Sequence, residues 1–205
     1  MTTDPHQGYL DAIAYVRAYH EEVASLLDEL ADVLHRSPAA WRRLRPRGQS
    51  MHTELAPTWG EPKRWTPDYL VAFFAPAAAF EKGSTYRCRA PKVPRLAFLG
   101  ALLMPDTDLD SPEIFLGWYE DHGRTGELQT QLDPLYQLLD ETGLLEVPEP
   151  ATKLHAAWPT ACAYDPTWQA GTLRMSLRRV PTRLFRTADD AAALGAAFAE
   201  ALARR

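Results

Sequence analysis

The stretch RLAFLGALLMPDTDLDSPEIFLGWYE, residues 95–120, decides the fold class. Arg95–Met104 and Glu113–Glu120 are apolar runs of strand length, and Pro105–Pro112 between them is acidic and rich in turn formers. Two such runs joined by a short polar connection read as an antiparallel pair of strands. Upstream, Tyr69–Pro76 is a continuous apolar run with Phe73 and Phe74 adjacent, the pattern of a strand buried on both faces. Tyr86–Ala90 alternates and predicts a strand with one wet face. Downstream, Thr172–Arg179 alternates again, with Leu173, Met175 and Leu177 on one side and Arg174, Ser176 and Arg178 on the other. The Pro-rich and Trp-containing segment 146–171 has room for one further short strand.

Helical patterns surround these strands. Over residues 9–36, Ile13, Val16, His20, Val23, Leu27, Leu30 and Leu34 follow a 3-4-3-4 spacing, the rhythm of a helix seam. Tyr19, Leu26 and Val33 widen the stripe, which favours packing on a sheet or bundle, while the seam itself also suits a dimer. Ser37-Pro38 ends this helix or caps another, and Ala39–Arg45 has the length of one more short helical turn. Thr125–Thr142 places Leu128, Leu132, Leu135 and Leu139 on one face, with Gly143 as the C-terminal cap. Thr187 caps a final helix whose first turn holds Asp189 and Asp190 and whose inner face holds Leu194, Phe198 and Leu202. The expected architecture is a single α+β domain over residues 1–205. It has a mainly antiparallel sheet of about five strands, a long N-terminal helix, a central helix and a C-terminal helix. Strict strand–helix alternation is missing, so a doubly wound nucleotide-binding sheet is not expected.

Composition narrows the class. The apolar runs fall well short of the ~20 residues of a membrane span, and the opening Met1–His6 lacks the basic start of a secretory signal. A cytoplasmic, membrane-free protein is expected. Two cysteines, Cys88 and Cys162, fit neither a disulfide framework nor a cysteine-rich zinc site. Asn is absent and eighteen Arg stand against four Lys, which points to a GC-rich bacterial genome and weakens any argument from arginine abundance. Charge is segregated along the chain. Net charge is −6 over residues 1–35, +8 over 36–95, −11 over 96–150 and +4 over 151–205. Such blocks either neutralise one another in the fold or form faces of opposite sign.

No phosphate-loop, dinucleotide, zinc-protease or paired-cysteine motif is present, and no cofactor is expected. The leading expectation is therefore a non-catalytic, homodimeric interaction protein whose partner is a second copy or an acidic protein. A second reading is a nucleic-acid or polyanion binder. Arg42, Arg43, Arg45 and Arg47 follow the first helix, and Arg87 and Arg89 share the polar side of one strand, as Arg174 and Arg178 do that of another. Guanidinium groups gathered on one face would suit phosphates. A third reading is a metal-dependent hydrolase, because Asp106, Asp108 and Asp110 alternate as hard-cation ligands do, with Glu120, Asp121 and His122 as further candidates. In an antiparallel pair those two acidic groups lie at opposite ends, ~25 Å apart, which argues against a shared ion.

Overall fold

The computed structural model describes residues 5–44, 69–82, 93–102, 112–120, 151–154, 156–164 and 173–204. Helix α1 (Pro5–Arg36) leads into strand β1 (Arg42–Arg43). There follow β2 (Tyr69–Ala75), β3 (Arg95–Leu102), β4 (Glu113–Glu120), β5 (Cys162–Tyr164) and β6 (Leu173–Pro181), then helix α2 (Ala188–Ala203). The strands form one sheet in the order β1-β2-β3-β4-β6-β5, antiparallel throughout. The fold is thus an α+β mix with an antiparallel sheet. Two helices are present among the described residues; the expected central helix, Thr125–Thr142, and the expected strand Tyr86–Ala90 lie outside them. No described helix is long and apolar enough to cross a membrane.

The 95–120 stretch forms the predicted hairpin, with Leu102 opposite Glu113 and Arg95 opposite Glu120. Its strands are buried except at half-buried Arg95 and Glu120, because both faces of the sheet are covered, as their apolar sequences require. On one face Phe74, Leu99, Leu116 and Val180 pack with Leu27, Leu30 and Leu34 of α1 and Leu194 and Phe198 of α2. On the other, Phe98 lies among Phe73, Phe115 and Tyr119, with its ring centroid 4.8 Å from that of Tyr119. Offset and tilted ring pairs at such distances add to the area they bury. Beside them Glu113 and Arg179 form a buried ion pair at 2.5 Å.

The helices are fixed to the sheet and to each other by specific contacts. A Cβ on Gly195 would stand 2.9 Å from Cβ of Val33, so the close approach of α2 to α1 needs a glycine there. Thr187 and Asp190 form a capping box, and the Asp190 carboxylate accepts the backbone N–H groups of Arg186 and Thr187 at 2.8 and 2.9 Å. At the far end of α2, Arg95 donates to the carbonyls of Leu202 (2.8 Å) and Arg204, while its Nε meets Glu120 at 2.6 Å. A cation at a helix C-terminus satisfies orphan carbonyls and opposes the helix dipole.

Two local expectations are corrected. Ala39–Arg45 is not a helical turn: the chain reverses through Ala40, at φ 47°, and Arg42 and Arg43 then pair with Ala75 and Phe74. Arg174 and Arg178 do not share a wet side of their strand. Arg174 is exposed, but Arg178 is 4% exposed, because the segment 153–158 covers that side of β6.

Candidate functional site

The seam of α1 divides into two halves. Val23, Leu27, Leu30 and Leu34 are buried on the sheet and α2. Residues 7–18 are exposed except for half-buried Ile13, so this part of the helix stands clear of the other described residues. Yet it continues the same apolar rhythm. Tyr9 is 61% exposed, Tyr15 75%, and Leu10 and Val16 are exposed as well. An isolated helix of this length is marginal in water; here the packed half anchors it. A run of exposed large apolar side chains on one element is the signature of an interaction surface.

At the root of this arm a groove of about 530 Å³ opens between α1 and the turn that leads into α2. Its α1 wall carries Tyr19, Glu22, Leu26 and Glu29; its opposite wall carries Arg183, Phe185 and Arg186. Among the described residues no ion pair joins the two walls. The Tyr19 hydroxyl is buried and has no hydrogen-bond partner. Its burial pushes the phenol pKa up to about 12, with Tyr15 and Glu22 adding repulsion to the ionised form. The groove was not among the expected sites. Its α1 wall is the Tyr19–Leu26 shoulder of the seam, but Arg183, Phe185 and Arg186 come from an irregular segment with no periodicity to mark it.

The predicted arginine face is only partly within the described residues. Arg42 is exposed, with its guanidinium 5.7 Å from the ring centroid of Phe80. Arg43 is half-buried beside it on the edge strand, and Arg45, Arg47, Arg87 and Arg89 lie outside the described residues. Arg174 is ion-paired with Glu120 at 3.5 Å. Arg178 donates to the backbone carbonyls of Lys153 (3.1 Å), Leu154 (2.5 Å) and Ala156 (3.1 Å), beneath the ring of Trp158. Desolvation lowers its pKa, and the three carbonyls hold the buried charge in place of a carboxylate. Arg95, Arg174 and Arg179 all pair with Glu113 or Glu120, so the basic and acidic blocks of the sequence meet inside the fold.

Asp106, Asp108, Asp110, Asp121 and His122 lie outside the described residues. Glu120 is held by Arg95 and Arg174 at the end of β4 remote from the 103–112 connection. Among the described residues no three His, Cys, Asp or Glu side chains gather in a metal-binding group. The chain matches no family model, no curated protein sequence and no solved structure.

Proposed function

We propose that the protein acts by binding rather than by catalysis, as a homodimer joined through the exposed N-terminal half of α1. The observation that carries this reading is the run Tyr9, Leu10, Ile13 and Val16, which continues a buried seam onto a part of the helix where these side chains are exposed or half-buried and the other described residues do not cover them. A second copy offers the same stripe with the same spacing, and two-fold symmetric contacts of this self-complementary kind are the commonest in soluble oligomers. Arg178 holds backbone carbonyls, Arg179 holds Glu113, and Ser176 accepts from Trp158 and donates to the Pro159 carbonyl, so each has a structural task.

Sedimentation or light scattering over a dilution series tests the reading. A dimer near twice 23.0 kDa that dissociates on dilution is expected. Ile13→Asp should raise the dissociation constant at least 100-fold, since burying a large aliphatic side chain is worth about 1.5–3 kcal/mol and the loss occurs once per copy. Its circular dichroism should not change, because the site is outside the packed core. A 23.0 kDa particle at every concentration refutes the dimer.

A further inference from the structure

We infer that His20 makes the association of two copies pH-dependent, closing the helical arms while its imidazole is neutral and releasing them on protonation; this deepens the homodimer proposed above and rests on it. His20 holds the seam position after Val16, where the exposed half of α1 meets the buried half. Its seam neighbours Ile13, Val16, Val23 and Leu27 are aliphatic and carry no titratable group. The imidazole is half-buried, its ring centroid 5.9 Å from that of Tyr19, and no hydrogen bond or ion pair engages it among the described residues. It is therefore not a ring held by a polar partner in the described part of its own chain. Histidine is the side chain whose charge ordinarily changes between pH 5 and 8.

Both directions of helix pairing give the same sign. In a parallel two-fold pair, symmetry sets equal positions face to face, so His20 of one copy meets His20 of the other. Two imidazoliums there repel and lose water together. In an antiparallel pair built on the exposed stripe from Tyr9 to Val16, His20 comes opposite the start of the other arm. The first turn of that arm holds no acid, so an imidazolium gains no counter-charge from it. The charged groups of its own copy do not reverse the sign. Arg17, Glu21 and Glu22 flank it on α1 and are exposed, and Arg183 and Arg186 stand on the turn across the groove, beyond Tyr19. They act on one copy as on two, and solvent screens them, so the drying of the ring decides. The dimer then binds fewer protons than two free copies, and by linkage its affinity falls as the pH falls.

Sedimentation of the full-length protein at about pH 7.5 and about pH 5.5 tests the switch, in a window above the carboxylate range of about 3.9–4.3. A roughly threefold preference for the neutral ring in each of two copies multiplies to about a tenfold rise in the dissociation constant at the lower pH. His20→Leu should abolish that rise while keeping the dimer at both pH values. His6→Gln, which changes the other histidine at seam spacing, should leave the rise in place. A dissociation constant equal at the two pH values, or a rise that survives His20→Leu or vanishes with His6→Gln, overturns the inference and leaves the dimer standing. A monomer at every pH and concentration removes the dimer and the switch together.

Discussion

Gly117→Ala tests the packing of the sheet more sharply than any truncation. Gly117 sits in the middle of β4, paired with Phe98 on one side and Leu177 on the other. A Cβ there would fall 2.0 Å from the backbone carbonyl oxygen of Ser176 and 2.5 Å from Cζ of Phe98. Neither can yield cheaply. The Ser176 carbonyl belongs to a strand hydrogen-bonded along the whole length of β4, and the Phe98 ring is confined by Phe73, Phe115 and Tyr119. Overpacking a core costs about 1–3 kcal/mol where side chains can adjust, and more where they cannot. With backbone on one side and a wedged ring on the other, the expected loss is at least ~3 kcal/mol, a fall in melting temperature of about 6–12 °C for a chain of this size. The same substitution at Gly8, an exposed helical position with open space around it, should raise stability by up to about 1 kcal/mol through helix propensity alone. Denaturant melts of both variants beside the parent chain measure the contrast. A Gly117→Ala protein within about 1 kcal/mol of the parent would mean that β4 and β6 are not paired in this register.

Leu27→Asp should unfold the protein, because Leu27 is 3% exposed in the packed half of the seam, whereas Ile13→Asp should leave the monomer folded; thermal melts of the two separate internal from external seam. Glu113→Gln should destabilise the protein by removing the carboxylate charge that meets buried Arg179 at 2.5 Å, and Glu113→Leu combined with Arg179→Met should recover part of the loss; denaturant melts measure both. Tyr19 makes a prediction about alkali. Its folded pKa of about 12 lies above the unfolded value of 10.0, so its contribution is complete below pH 10 and is lost as pH rises from 10 towards 12. Tyr19→Phe should flatten that fall in urea titrations and cost little at neutral pH, since the hydroxyl has no partner; an unchanged alkaline slope would refute the assignment. Because Arg174 is ion-paired and Arg178 buried, heparin should release the protein at low salt; retention above physiological salt would revive the polyanion reading.

The sheet was legible where the sequence carries its own period. Glu113–Glu120 has the predicted ends, Tyr69–Ala75 stops one residue before the predicted end, and Arg95–Leu102 matches the expected strand as far as the described residues reach. The final helix and its Thr187 cap were legible for the same local reason. What failed depends on partners remote in sequence. Alternation along β6 separates Arg178 from Leu177 correctly, but the carbonyls that make its side a buried one come from residues 153–156. Arg42 and Arg43 form a strand only because Ala75 and Phe74 lie alongside. The seam of α1 is uniform in sequence from Ile13 to Leu34, and nothing in it marks Val23 as the point where the covering ends. The groove escaped for a related reason, since half of it belongs to a turn positioned by the end of β6 and the start of α2.

The lengths of the outer strands bear on how copies of this chain can associate. Among the described residues the inner strands β2, β3, β4 and β6 have seven to nine residues, and the outermost are β1 with two and β5 with three. A long apolar border strand is a template on which another chain can add, and growth from it has no natural stop. Here one border offers two residues, both arginines, with Arg42 resting on Phe80. Among the described residues neither border strand has the length for stable strand addition, which disfavours ribbon-like polymerisation of this aromatic-rich sheet. In the dimer proposed above, association falls to the helical arm, where a two-fold contact stops at two copies.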